Sequence, residues 1–384
     1  MRTATLWPGR LALLAGHCAG MVDLVALPLW MGALIGLYGF DPQQAGALVT
    51  LFLAGAVAAS IVGATSFHRM RGRVVATAGF GTAALIFVAL TFASAFSTMA
   101  MLHALGGVAV GCAASATHGT MGRSANPHWL FGMAGLALGV FGVTFTIVVP
   151  PLIERFGGNV IFIAFTSVMA CVALVAALLF PLPELPPAKT TAGAGTLDAR
   201  TWFVIAGVSL MAVNQAMIFA FVQRIGIDRG FGAPAVQGVL IAVGLVALFP
   251  TPIAAALERR LDARVVVLAG PAIQGLNVLL MTQSQGFAAY AFATATFPFP
   301  MLFTHTFAFG MLARFDRSGR ATAATAAMVM VGAAAGPLLA GTLVKSFGYA
   351  SLVVPGVLIA AAAIACFYRA QSQAGKAPAQ VLAE

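Results

Sequence analysis

The chemistry this sequence can offer is concentrated in a few polar residues set in apolar surroundings. Asp23 is a lone carboxylate inside the uncharged run from Leu11 to Phe40. On insertion scales such a charge at the centre of a membrane helix costs about 3 kcal/mol, and it is seldom kept without a use. A carboxylate whose surroundings alternate between two sides can take up a proton on one and release it on the other, so Asp23 is the candidate proton-coupling residue. His17, His103, Asn214, Gln215 and His305 are further donors and acceptors inside apolar runs. They form the candidate solute-binding set if the spans that carry them line a common cavity. A softer chemistry uses some of the same positions. His17 and Met21 are four apart, Met301 and His305 are four apart, and His118 and Met121 are three apart. Such spacings put each pair on one helix face. Imidazole with thioether suits copper(I), so His17, Met21, Met301 and His305 are the candidate metal ligands of an alternative reading. Asp23, His103, His305, Asn214 and Gln215 also have a plain structural reading, as polar contacts that hold helices together.

These residues must be positioned by membrane helices. Of the 384 residues, 61% are hydrophobic and only 8% charged, against about 25% charged in soluble domains. Mean hydropathy is +0.99. Twelve apolar runs are long enough to cross a hydrocarbon core of about 30 Å, which argues for helices and against a barrel of short alternating strands. The predicted spans are 12–38, 44–66, 74–95, 98–120, 129–153, 159–181, 202–222, 235–256, 265–283, 287–312, 321–344 and 350–368. The first run is too long for a signal-peptide core and is expected to stay as span 1.

Charge sets the expected orientation. With both termini cytoplasmic, 16 of the 20 Lys and Arg residues fall on the cytoplasmic side, and only Arg155, Arg224, Arg229 and Lys345 fall outside. That asymmetry follows the positive-inside rule. The net charge of +10 therefore reads as topology, and no nucleic-acid partner is expected because the basic residues lie in short loops rather than a long patch. Cys18, Cys112, Cys171 and Cys366 lie inside spans without paired spacing, which predicts small core residues. No His-Glu-x-x-His, Gly-x-Ser-x-Gly or phosphate-loop run is present, so no enzyme chemistry, cofactor or ATP-driven pumping is expected.

The chain also repeats. An offset of 191 lays Gly39-Phe40 on Gly230-Phe231, Arg73-Val74-Val75 on Arg264-Val265-Val266, Arg123 on Arg314, and Phe156-Gly157 on Phe347-Gly348. Six spans per half, both starting inside, make the repeat parallel, about an axis along the membrane normal. The organisation is then an N-terminal six-helix bundle over 1–182, a cytoplasmic linker over 183–200, and a C-terminal bundle with a short tail over 201–384. The same offset pairs Asp23 with Asn214, a carboxylate and an amide expected to face one another across the middle.

In its six-plus-six spans, parallel repeat, linker and basic loops after spans 2 and 8, the chain resembles the major facilitator superfamily. The loop signature of that family is present in altered form as Gly63 followed by His68-Arg69-Met70-Arg71-Gly72-Arg73, with His68 where the family usually has Asp. Its second copy is Glu258-Arg259-Arg260-Leu261-Asp262-Ala263-Arg264. The resemblance implies that Arg69, Arg71, Gly72, Arg73, Glu258, Arg259 and Arg264 belong to loops that brace a cytoplasmic gate. It further implies that spans 1, 4, 7 and 10 line a central cavity. Span 4 has His103 followed by Gly106, Gly107 and Gly111 where the family usually carries Arg then Gly. The Gly-Pro ending typical of span 5 in drug–proton antiporters is replaced by Gly135, Gly139 and Gly142 leading to Pro150-Pro151.

The expectation is an all-α, twelve-span secondary transporter, proton-coupled and monomeric, in a bacterial cytoplasmic membrane, moving a small organic solute by alternating access, with export the expected direction. The set at depth has one acid and no Arg or Lys, which favours a neutral, weakly cationic or zwitterionic solute. A copper or other transition-metal importer is the alternative, and a transport-dead receptor a further one.

Overall fold

The computed structural model describes residues 6–66, 71–182, 197–315 and 325–372. Among these, twelve helices are long and apolar enough to cross a membrane: Trp7–Gly36, Pro42–Gly63, Gly72–Thr91, Phe96–Gly122, Trp129–Phe156, Val160–Leu179, Ala199–Asp228, Ala233–Leu257, Ala263–Gln283, Phe287–Phe315, Met328–Phe347 and Tyr349–Ser372. They are spans 1 to 12 below. In lipid a chain must satisfy its backbone polar groups internally, which is why sequences this rich in Gly and Ala are nevertheless helical throughout. Span 1 begins earlier than predicted because Pro8 occupies the first helical turn, where its missing amide costs nothing. Arg69 and His68 of the first gating loop, and residues 183–196 of the linker, lie outside the described residues.

The repeat has a backbone counterpart. Gly39 and Gly230 have φ of 71° and 77°, and Gly157 and Gly348 have φ of 94° and 76°. These pairs are related by the 191-residue offset and turn the chain at the same end of the molecule. Each adopts the left-handed conformation that a side chain would oppose.

Four spans are interrupted. Span 8 breaks before Pro250 and span 10 before Pro298, where proline removes an amide and disfavours helix in the residue before it. Span 1 divides into Trp7–Gly20 and Val22–Gly36 at Met21, and span 7 into Ala199–Phe219 and Val222–Asp228. In span 7 the first carbonyl after the break, that of Val222, accepts from the Tyr290 hydroxyl of span 10 at 2.8 Å.

Glycine brings the helices together. A Cβ on Gly16 would meet Thr117 and one on Gly20 would meet Ala114, so spans 1 and 4 touch; Gly332 and Gly336 likewise admit the backbone of span 7 at Ser209 and Met217 against span 11. The cysteines differ from expectation. Cys171 is exposed and Cys18, Cys112 and Cys366 are half-buried, because these spans are apolar on nearly every side and sequence pattern does not say which side meets protein.

The two six-span groups interlock through spans 2 and 11, 5 and 8, and 1 and 7. The contacts run from about the midplane to the end bearing Gly39 and Gly348. There the Lys345 Nζ donates to Asp41 Oδ2 at 3.0 Å and to Gln43 Oε1 at 3.2 Å. Gly341 packs on the Pro42 carbonyl, Gly32 faces Gln223, and Gly36 faces the Arg224 guanidinium. Gln237 Nε2 donates to the Thr146 carbonyl at 3.4 Å. This end is closed.

Candidate functional site

Asp23 lies in the first turn of the helical segment that restarts span 1 after Met21. A helix start presents unpaired amides that favour a negative side chain, and the break creates such a start inside the membrane. The side chain is half-buried. The ion pairs among the described residues are Arg200 with Asp198 and Lys345 with Asp41, so Asp23 has no cation partner there.

One helical turn before the break, His17 Nδ1 lies 2.9 Å from His118 Nε2 of span 4. The two rings are 5.1 Å apart at an interplanar angle of 56°, and His118 also packs on Phe131 of span 5. Gly16 and Gly20 make the approach possible by removing the Cβ atoms that would hold the two helices apart. His17 is thereby tied to span 4. His118, which the sequence offers only as a neighbour of Met121, joins the candidate set.

The other candidates are not gathered around Asp23. His103 is fully buried in the N-terminal half, stacked on Trp30 at 5.4 Å and edge-on to Phe162. Its Nδ1 lies 2.7 Å from the Met99 carbonyl, an acceptor only, so this nitrogen carries the hydrogen. Its Nε2 has no partner. Asn214 is also fully buried, and its amide donates to the Gly356 carbonyl of span 12 at 3.1 Å. It is held inside its own half, and the pairing by offset with Asp23 has no counterpart in a shared contact. Gln215 Oε1 accepts from Gln274 Nε2 of span 9 at 3.2 Å, and the same nitrogen reaches the Met211 carbonyl at 3.2 Å. Asn214, Gln215 and Gln274 thus knit spans 7, 9 and 12. His305 is half-buried, with its ring 3.7 Å from that of Phe309 and its Nε2 unpartnered. Met21 is the residue at the span 1 break, and Met301 is buried in a cluster of the C-terminal half. Among the described residues no three or more His, Cys, Asp or Glu side chains come together as a metal cage.

The gating-loop residues sit at the opposite end from the closed seam. Arg71 precedes span 3 and its carbonyl accepts from Val74 and Val75. Gly72 lies against Phe180 and Thr120, and Arg73 donates to the Ala177 carbonyl of span 6. In the second copy Glu258, Arg259 and Arg264 are exposed, and the Arg264 amide is capped by Asp262 at 2.9 Å. Glu258 takes part in neither of the two ion pairs.

Twelve membrane-length helices in two six-span groups that close on each other at one end define a multi-pass membrane protein. The family model described as Major Facilitator Superfamily matches residues 12–315, and the chain belongs to that superfamily. Comparison with curated proteins gives no match. Among solved structures the chain is similar to a bacterial homolog of the human lysosomal transporter Spinster. In its inward-facing and occupied conformation that protein is 14% identical with a TM-score of 0.72, covering 96% of each chain. In its inward-facing and unoccupied conformation it is 14% identical with a TM-score of 0.70, covering 96% of this chain and 98% of that one. The nucleoside transporter NupG is 12% identical with a TM-score of 0.73, covering 94% of this chain and 99% of that one. At these identities the likeness is one of fold.

Proposed function

We propose that this protein is a proton-coupled secondary transporter of a small organic solute, neutral, weakly cationic or zwitterionic, working by rocking of its two halves in a bacterial cytoplasmic membrane. The observation that carries the reading is Asp23: a half-buried carboxylate at the restart of span 1, without an ion-pair partner among the described residues. Retaining a charge there is costly, and a group that must be protonated in one state and hydrated in another is a sufficient reason for it. With the Lys and Arg residues read as cytoplasmic, the closed end faces out and the conformation is inward-facing. The exposure of Glu258 agrees, since an acidic brace at the inner gate is released when that gate opens.

His17 with His118 and the unpartnered ring of His305 remain the side chains best suited to receive a polar solute. Asn214, Gln215 and His103 act on transport through the helices they hold together. Purified protein should be screened for solutes that raise its thermal stability, and a stabilising solute then tested in liposomes for counterflow of its labelled form. Counterflow supports a transporter of that solute. Binding without counterflow is what a receptor gives, and it would end this reading.

A further inference from the structure

Thr50 of span 2 bonds twice to span 11 of the opposite half. Its hydroxyl donates to the Ala334 carbonyl at 2.8 Å and accepts from the Leu338 amide at 3.2 Å. Those two backbone groups are the acceptor and donor of one helical turn, which ordinarily serve each other. Pro337 stands just before Leu338 inside the helix and has no amide to give to Ala333. At one level of span 11, therefore, one rung of the ladder is missing and the next is engaged by a hydroxyl from the other half. Insertion of a side chain into the ladder, like proline, bends a helix.

The surroundings make this contact close. A Cβ on Gly46 would strike the Pro337 carbonyl and one on Gly341 would strike that of Pro42, while Gly332 and Gly336 press the other face of span 11 onto span 7. Thr50 lies about 12 Å along span 2 from Pro42, two turns inward of the Asp41–Lys345 contact. The hydroxyl sits where separation of the halves at the closed end must reach it.

We propose that Thr50 is a positioning residue for transport, whose hydroxyl replaces a backbone rung of span 11 only while the halves are closed at the Asp41–Lys345 end. When span 2 withdraws, the Leu338 amide returns to the Ala334 carbonyl. Neither the Leu338 amide nor the Ala334 carbonyl is then left without a partner in either state, which keeps the two states near in free energy, as a transport cycle needs. The inference rests on the rocking of the halves proposed above.

The test uses full-length protein in nanodiscs, with Cys18, Cys112, Cys171 and Cys366 replaced and spin labels on Phe156→Cys and Phe347→Cys. Both phenylalanines are exposed, at 63% and 74%, at the closed end and in opposite halves. Electron–electron distance measurements then give the populations closed and open there. Thr50→Val, which keeps shape and loses the hydroxyl, should raise the open population about fivefold, equal to about 1 kcal/mol. Thr50→Ser should stay within about twofold of the parent. An unchanged Thr50→Val population, or equal changes in both variants, overturns the role of Thr50 while leaving rocking intact. If Thr50→Val does not fold, Thr50→Ala takes its place; loss of fold in both, with Thr50→Ser intact, makes the hydroxyl a stability contact and also overturns it. A single distance in every variant and condition refutes rocking itself.

Discussion

His17 Nδ1 and His118 Nε2 are 2.9 Å apart across the contact between spans 1 and 4, so one ring donates and the other must keep a free lone pair. Two doubly protonated rings could not make this bond. The pair is therefore a two-helix contact whose existence depends on proton count, and it stands on the same span as Asp23. A cycle of His17→Ala, His118→Ala and the double variant should be non-additive in chemical denaturation of the purified protein. The expected coupling is about 0.6 kcal/mol or more, the typical size of an interhelical hydrogen bond in a membrane. Additive losses would mean that the rings do not bond.

The closed end carries an ion pair with a predictable pH response. Partial burial pushes the Asp41 carboxyl up, but the Gln44 amide and the Lys345 ammonium outweigh it and hold the group below the ordinary carboxylate range. A lowered carboxylate contributes stability that is complete above the ordinary value of about 3.9 and is lost as pH falls through the lowered one. The two side chains are 34% and 47% exposed, so screening limits the pair to no more than about 1 kcal/mol. Closure at this end should weaken as pH falls below the ordinary carboxylate value, and with added salt at neutral pH. Lys345→Gln should be weaker at neutral pH and nearly indifferent to salt. Equal salt dependence in Lys345→Gln and the parent, read by the same spin-label pair, would remove the ion pair from the gate.

The thioethers separate the organic-solute reading from the metal one. Met21→Leu and Met301→Leu nearly conserve volume and hydrophobicity, and each should cost less than about 1.5 kcal/mol and change transport only modestly. Copper(I) import would reverse this, because leucine cannot supply a sulfur ligand. Cellular copper in a deletion strain carrying each variant is the measurement. Lowered copper in the deletion strain, unrestored by the doubly substituted protein, would replace the organic-solute reading with the metal one.

Much of the fold was legible because lipid leaves few choices. A run of apolar residues long enough to span must be a helix, and the paired glycines at offset 191 mark turns that both halves make with the same left-handed backbone. The close packing at Gly16, Gly20, Gly332 and Gly336 follows from their spacing. The direction in which polar side chains point was not legible. Around Asn214 span 7 is apolar apart from the adjacent Gln215, so periodicity could not say that Asn214 turns to Gly356 of span 12 rather than toward Asp23. The breaks at Met21 and after Phe219 carry no proline to announce them, unlike those at Pro250 and Pro298. His118 was visible only beside Met121, because its partner His17 is 101 residues away. Thr50 had no signal, since a lone threonine in a span usually bonds within its own helix.

The central claim is that Asp23 carries the coupled proton, and transport against a gradient tests it most directly. With a solute that shows counterflow, liposomes holding the parent protein should accumulate it when a proton gradient is imposed. One proton moving through the equivalent of 100 mV supplies about 2.3 kcal/mol, enough for roughly 40-fold accumulation. Asp23→Asn keeps the size of the side chain and cannot release a proton. It should lose accumulation while retaining solute exchange, which needs no net proton movement. An Asp23→Asn protein that still concentrates the solute against its gradient would contradict the account.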